Sequence, residues 1–142
     1  MNLTEDKIQI DCVYWLNTWL DILGRDEDGF GVFIFWSHPN ENNMGARMGD
    51  KLNKMGRHAG LSDLGIQYEK DGVTHMLFIE LKTKEGFKKK DARTERQRRF
   101  IAKMNSKPNT HGVMLKSLPE FRATVASHLE HLGVRDLLNP QQ

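Results

Sequence analysis

The sequence predicts an α/β fold, a mixed β-sheet flanked by helices, in a single domain that covers residues 1–142. Apolar residues recur at helical spacing near the start of the chain, and four later segments have the length and composition of strands. Two of those segments are separated by Lys70, Asp71 and Gly72, a sequence typical of a β-hairpin turn. A chain of 142 residues also has the usual size of one domain with one core.

The first predicted element is a helix over residues 5–23, with Thr4 as its N-cap and acidic residues in its first turn. Its buried stripe is predicted to contain Ile8, Cys12, Trp15, Leu16, Trp19 and Leu23. Strands are predicted over residues 30–36, 63–68, 74–83 and 111–116, and the second and third are expected to pair as the hairpin. Further helices are predicted over residues 46–55, 94–105 and 118–132, and a basic connection is predicted over residues 87–93.

The composition excludes several classes of protein. Apolar residues make up 38% of the chain and charged residues 28%, which is near the average for globular proteins. No segment approaches the roughly 18 consecutive apolar residues of a membrane span, and the start of the chain is too polar for a secretion signal. We therefore expect no membrane partner and a location in the cytoplasm. Because Cys12 is the only cysteine, neither an internal disulfide nor a Cys-rich zinc site is available.

The charge of the chain is distributed unevenly. The net charge is only +2, yet residues 82–103 contain ten Lys or Arg against three acids, a local charge of +7. A basic segment on a nearly neutral protein is typical of a nucleic-acid partner.

The predicted third strand carries two charged side chains on one face. Side chains alternate along a strand, so Glu80 and Lys82 are expected to lie next to each other at the end of an otherwise apolar run. An unpaired charge in such a run is costly to bury. A harmless ion pair at a strand end is the alternative, because about half a chance match to this pattern is expected in a chain of this length.

Asp63 gives this pair a chemical interpretation. It begins the partner strand of the hairpin, so pairing is expected to bring its carboxylate near Glu80. Two carboxylates on adjacent strands suit Mg²⁺, which is commonly held by one or two carboxylates and a substrate phosphate. Lys82 could then orient or deprotonate an attacking water. Glu5, beside the apolar stripe of the first helix, could supply a third carboxylate or merely complement the helix dipole.

The sequence around these residues resembles the VRR-NUC branch of the PD-(D/E)XK nucleases. The resemblance lies in the run HPNENNMGARMGDKLNKMGRHAGLSDLGI, in FIELKT and in Gln97 of a basic helix, and it extends from Glu5 and Gln9 to Gly112. Ser62 stands where the family motif has Pro. Because that Pro shapes a turn and contributes no ligand, the departure weakens the signature and leaves the chemistry intact.

The resemblance implies a restriction-endonuclease-like fold and hydrolysis of DNA phosphodiester bonds with Mg²⁺ or Mn²⁺. It implies that the catalytic residues are Asp63, Glu80, Lys82, Gln97 and Glu5, and that the metal site contains Asp63, Glu80, Glu5 and Leu81. Stand-alone members of this size resemble homodimeric, phage-encoded enzymes that resolve four-way DNA junctions, which implies action in the host cytoplasm. A dimer with two sites would suit a two-fold junction.

Polar and basic residues on both sides of Asp63 are candidates for contacts with DNA phosphates. These candidates are Asn40, Arg47, Lys51, Arg57, Lys84, Lys88, Lys89, Arg93 and Arg96. The alternative is that any one of them is simply solvated.

Other residue groups allow different interpretations. His128 and His131 could share a metal, although we expect an exposed pair, and His38, Asn40 and His58 could indicate an HNH nuclease. The aromatic residues of the first helix and of residues 30–36 are expected mainly in the core, with any surplus in a dimer interface. Two rival functions also stay open: a non-cleaving DNA-binding module, and a nuclease subunit that works only with a helicase or another replication protein.

Overall fold

The computed structural model describes residues 4–38, 54 and 62–137. The predicted helix over residues 46–55 lies outside these residues, apart from Lys54, which is helical. The helices of the described part are α1 (Glu5–Leu23), α2 (Lys84–Phe87), α3 (Ala92–Asn105) and α4 (Leu118–Leu129), and a 3-10 turn, Glu130–Leu132, follows α4. The strands are β1 (Phe33–Ser37), β2 (Leu64–Lys70), β3 (Val73–Leu81) and β4 (Thr110–Leu115).

The strands of the described residues form one mixed sheet in the order β1-β2-β3-β4. β2 pairs antiparallel with β1 and with β3, whereas β3 and β4 are parallel. Asp71 and Gly72 join β2 to β3 with φ angles of 53° and 76°, the left-handed values that a two-residue type I′ turn requires. Helices α2 and α3 provide the crossover that a parallel pair needs. The predicted α/β class, a mixed sheet flanked by helices, is confirmed.

Helices cover both faces of this sheet. The face that carries Leu77, Ile79 and Leu81 packs against the apolar stripe of α1 and against α4, in the main buried cluster. On the other face, the Phe100 ring of α3 packs edge-on against Phe78 of β3. No helix among the described residues is long and apolar enough to cross a membrane.

The end of β3 differs from the prediction. The strand stops at Leu81, two residues before the predicted end, because Thr83 turns the chain into α2. The Thr83 hydroxyl accepts a hydrogen bond from the Gly86 N–H at 3.0 Å, which makes Thr83 the N-cap of that helix. The predicted basic connection over residues 87–93 is therefore wrong at its start, since Phe87 is helical.

Two other elements begin at residues that differ from the prediction. β1 begins at Phe33 because the Asp26 carboxylate accepts hydrogen bonds from the N–H groups of Asp28 and Phe30 and so closes a turn before the strand. α3 begins at Ala92 because Asp91 caps it through the Thr94 N–H at 2.8 Å.

Most of the aromatic residues in α1 and residues 30–36 lie in or against the core, as expected. Trp15 and Trp19 are only 3% and 4% exposed and pack edge-on against each other, and Phe33 is also buried. The expectation that α1 tryptophans supply surplus aromatic surface for an interface is therefore wrong. Phe30 and Ile34 are exposed, so only part of residues 30–36 is available at the surface.

The expectation that His128 and His131 form an exposed pair is wrong for His128. This residue is half-buried, and its Nδ1 lies 2.9 Å from the Tyr68 hydroxyl. The His111 ring lies 4.7 Å from the His128 ring, and His111 Nε2 is 3.2 Å from His75 Nδ1. The histidines and Tyr68 thus fasten α4 to three strands of the sheet.

This cluster predicts an acid-sensitive attachment of α4. Burial, together with the charges of His111, His75 and Lys70, lowers the pKa of His128 from 6.5 to about 4. The unfolded chain therefore takes up this proton more readily than the folded chain, and stability is lost as the pH falls from about 6.5 towards 4. His128→Gln keeps a hydrogen-bonding side chain near Tyr68, so the variant should lose about 1 kcal/mol less than the wild type between pH 7 and pH 5 in urea unfolding. Equal losses in the two proteins would contradict this interpretation.

Candidate functional site

The β2–β3 pairing brings the two predicted carboxylates together. Leu64 pairs with Ile79 in the antiparallel register, so Asp63, one residue earlier, lies opposite Glu80. Asp63 Oδ2 accepts a hydrogen bond from the Leu81 N–H at 2.8 Å, which orients its carboxyl group towards β3. The carboxyl groups of Asp63 and Glu80 are close enough for each to affect the pKa of the other.

The charged groups of β3 and the following residue are buried. Glu80 is 2% exposed and Lys82 is 4% exposed, on the strand face opposite Leu77, Ile79 and Leu81. Ionisable side chains are rarely buried to this extent unless they are paired or serve a function.

The environment disfavours negative charge on both acids. Burial raises the pKa of Asp63 from 3.8 to about 6, against the lowering effects of the Leu81 N–H and the Lys82 ammonium. Burial and the Asp63 charge raise the pKa of Glu80 from 4.5 to about 9, again partly offset by Lys82. Because two ionised carboxylates are both acceptors, their contact is favourable only with a proton or a cation between them.

Gln97 of α3 contacts the same carboxyl group from the adjacent helix. Its Nε2 donates to Glu80 Oε1 at 2.7 Å, and its side chain is 4% exposed. α3 is held on β4 by Asn105, whose side-chain amide donates to the Gly112 carbonyl at 2.9 Å and accepts from the Gly112 N–H at 2.8 Å. These contacts fix the position from which Gln97 reaches the site.

The site contains buried polar atoms that have no partner. Among the described residues, Glu80 Oε2 and Gln97 Oε1 are buried without a hydrogen-bond partner. A buried polar atom left unsatisfied costs about 1–3 kcal/mol, so these two atoms indicate a position that a ligand could complete.

Glu5 of α1 lies near this pair of carboxyl groups. Its charge raises the pKa of both Asp63 and Glu80, which places the first turn of α1 at this end of the sheet. Gly86 lies between α1 and β3: a Cβ at this position would be 3.2 Å from Glu5 Oε1 and 3.5 Å from Lys82 Cδ. A larger residue would force these side chains to move.

Ser62 forms a hydrogen bond next to Asp63. The residue is buried, and its hydroxyl donates to the Leu64 carbonyl at 3.0 Å, which fixes the turn on either side of Asp63. The Asp63 carbonyl also accepts from the His38 N–H at 2.9 Å, and Gln9 of α1 donates to the His38 carbonyl at 2.7 Å. Asp63 is therefore held by α1 and β1 as well as by β3.

The carboxylates of Asp63 and Glu80 provide some of the oxygen ligands that a hard divalent cation needs. Within residues 4–38, 54 and 62–137, no group of three or more His, Cys, Asp or Glu side chains is arranged to hold a metal ion. Asp63 and Glu80 nevertheless provide the one or two carboxylates with which Mg²⁺ is commonly bound, and Glu80 Oε2 has no other partner. Leu81 can take part only through its main chain, because its side chain is buried in the apolar cluster.

The predicted DNA contacts are only partly within the described residues. Asn40, Arg47, Lys51, Arg57 and the histidine of the HNH alternative at position 58 lie outside them. The side chains of Lys84, Lys88, Lys89 and Arg96 are exposed, and Arg93 is half-buried. The exposed ones are accessible to a polyanion.

Some residues that shape the site were not identified from the sequence. Gly86 is the clearest case, and the capping sequence from Thr83 to Gly86 was the available signal for it. Arg98 was also not identified; it does not contact the carboxylate site but holds the chain after α2 through main-chain carbonyls that precede it by nine and eleven residues.

Comparison of the chain with protein-family models, with curated proteins and with solved structures found no match.

The buried carboxyl group of Glu80 predicts that a neutral replacement stabilises the protein without metal. A pKa raised to about 9 means that stability is fully present below pH 4.5 and is lost as the pH rises through about 9. Glu80→Gln retains an acceptor for Gln97 and does not need to take up a proton on folding, so in EDTA at pH 8 it should be about 1–3 kcal/mol more stable than the wild type. Urea unfolding measures this difference, and Glu85→Gln, at an exposed position of α2, is the matched control. If Glu80→Gln and the wild type had the same free energy of unfolding, burial of the Glu80 carboxyl group would not destabilise the protein and the prediction would be wrong.

Proposed function

We propose that this protein is a Mg²⁺-dependent DNA endonuclease of the PD-(D/E)XK type, similar to the VRR-NUC family, with a restriction-endonuclease-like fold. The observation that carries the proposal is the juxtaposition of Asp63, Glu80 and Lys82, which two paired strands bring to one end of the sheet. The resemblance supports the proposal, because Asp63, Glu80 and Lys82 occur along the chain in the order of the family pattern.

A purely structural role explains this arrangement poorly. The carboxyl groups of Asp63, Glu80 and Glu5 act on one another, and Lys82 is the ammonium group that offsets their charge. Asp63 and Glu80 can both be ionised at this buried position only if a cation compensates their charge. Glu80 Oε2 has no hydrogen-bond donor, so a divalent ion would compensate the negative charge and would also provide a partner for this oxygen.

The proposed chemistry assigns a role to each group. Asp63 and Glu80 would hold the cation, with Leu81 orienting Asp63 and Gln97 orienting Glu80. When bound, Mg²⁺ supplies positive charge that stabilises the charge developing on the scissile phosphate. Lys82 would either orient the attacking water as an ammonium group that also offsets charge on the phosphate, or deprotonate that water as a neutral amine.

The surface beside the site supports a nucleic-acid substrate. Exposed basic side chains follow the catalytic strand through α2 and along α3, and they are contributed by Lys84, Lys88, Lys89, Lys90, Arg96, Arg99 and Lys103. Such a surface favours binding to the phosphate backbone irrespective of sequence.

Replacing a proposed ligand should abolish cleavage and leave DNA binding intact. Asp63→Asn removes a negative charge from the site, so cleavage of DNA in Mg²⁺ should fall at least about a hundredfold, because the cation contributes several kcal/mol to the transition state. Affinity for DNA in EDTA should remain within a few-fold of the wild type. Asp71→Asn is the isosteric control at the other end of the same hairpin. Full cleavage by purified, folded Asp63→Asn would refute the site assignment.

We further infer that the active enzyme is a homodimer that selects four-way DNA junctions. A symmetrical junction needs two incisions related by a two-fold axis, and a closed dimer is the commonest way to supply two sites. Large apolar side chains on the outer face of α1 support an interface there, since Ile10 is 63% exposed and Tyr14 is 73% exposed.

The dimer is tested by mass and by coupled cleavage. Light scattering at micromolar concentration should give twice the chain mass, and Tyr14→Lys should shift that mass towards the monomer because it places a charge in the apolar contact. Cleavage of a cruciform plasmid should give paired incisions with the wild type and single nicks with the variant. A monomeric wild type that cuts plain duplex equally well would defeat the dimer and leave the nuclease proposal standing.

A further inference from the structure

Three consecutive lysines occupy the connection between α2 and α3. Lys88, Lys89 and Lys90 are all exposed, and we refer to residues 88–90 as the lysine turn. The turn begins two residues after Gly86, which lies against Glu5 and Lys82 of the carboxylate site. Its position beside the site makes its conformation relevant to any anionic substrate.

Like charges in sequence repel one another and favour an extended, variable chain, so a fixed turn needs an opposing contact. Arg98 of α3 provides it. One guanidinium nitrogen, Nη2, donates to the Phe87 carbonyl at 2.6 Å, and the other, Nη1, donates to the Lys89 carbonyl at 3.1 Å and to Glu95 Oε1 at 2.7 Å. The planar fork of arginine suits such contacts on two separate carbonyls, which a lysine ammonium does not reproduce.

The remaining main-chain groups around the turn are also engaged. The N–H groups of Phe87, Lys88 and Lys89 donate to carbonyls of residues 83, 85 and 86 at 2.8 Å, 3.2 Å and 3.2 Å. The Lys116 ammonium lies 4.8 Å from the centroid of the Phe87 ring. The backbone before and within the turn is therefore fixed, while the three lysine side chains point into solvent.

We propose that Arg98 is a positioning residue for nucleic-acid binding, which holds the lysine turn so that its three ammonium groups face the phosphates of a strand entering the carboxylate site. The inference rests on the proposed function, because it takes a nucleic acid as the ligand. Arg98 itself does not contact phosphate: its guanidinium is engaged with two carbonyls and Glu95. A fourth cation next to three lysines increases their repulsion, and an anionic ligand relieves it.

Arg98→Gln is compared with Arg99→Gln, which removes the same charge from the next, exposed position of α3. Binding of a labelled DNA duplex is measured in EDTA across a range of salt concentrations. Arg98→Gln should lower affinity about tenfold and reduce the salt slope by about 2, since several phosphate contacts weaken together, whereas Arg99→Gln should change the slope by at most about 0.9. Turnover at saturating DNA should stay at the wild-type value in Arg98→Gln, so that the loss appears in KM and not in kcat.

A measurement without DNA tests the positioning itself. Hydrogen exchange of the amides of residues 87–90 should be faster in Arg98→Gln than in the wild type and unchanged in Arg99→Gln. Arg98→Lys keeps the charge and loses the fork, so it should retain the fold and still show faster exchange and weaker binding. Wild-type exchange and affinity in Arg98→Lys, or equal affinity losses in the two Gln variants, would overturn the inference.

The triple variant Lys88→Gln, Lys89→Gln and Lys90→Gln separates this inference from the proposed function. Loss of DNA binding in the triple variant with normal binding in Arg98→Gln would overturn the inference alone. Unchanged binding in the triple variant would overturn the inference and move the DNA surface elsewhere. Absence of DNA binding by the wild type would refute the proposed function itself.

Discussion

The register of the β2–β3 hairpin is the constraint on which the site depends. Leu64 pairs with Ile79, and as a result Asp63 accepts the Leu81 N–H and lies against Glu80. A slip of one residue would turn Glu80 into the apolar face and bring an apolar neighbour to Asp63. The type I′ turn at Asp71 and Gly72, together with the buried alternation of β3, fixes this register.

The cost of burying charge explains the contacts around that hairpin. Glu80 is buried with a strongly raised pKa, and its neighbours are arranged to limit the penalty: Gln97 donates to one oxygen, and Lys82 offsets the charge. The reciprocal contacts between Asn105 and Gly112 hold α3 where Gln97 can reach. Glu80 Oε2 still has no hydrogen-bond donor. A cation bound by this oxygen, as proposed, would complete its contacts.

The parts of the fold that follow from short-range patterns could be predicted from the sequence. The span of α1 and the hairpin turn were predicted correctly, because a cap, a helical period and a left-handed Asp-Gly pair are local signals. The four-residue helix α2 was not predicted although its Thr83 cap is a local signal, and the half-buried position of His128 was not predicted because it depends on contacts with distant strands. Within the site, alternation placed Glu80 beside Lys82, whereas the roles of Gly86 and Arg98 depend on how α1 and α3 pack near the end of β3.

Mn²⁺ binding followed by electron paramagnetic resonance tests the central claim, that Asp63 and Glu80 form a cation site. The wild type bound to DNA should remove Mn²⁺ from the free pool, and Asp63→Asn and Glu80→Gln should each weaken this binding at least about tenfold while Asp71→Asn does not. Equal Mn²⁺ binding by the wild type and both site variants would show that these carboxylates do not form a cation site.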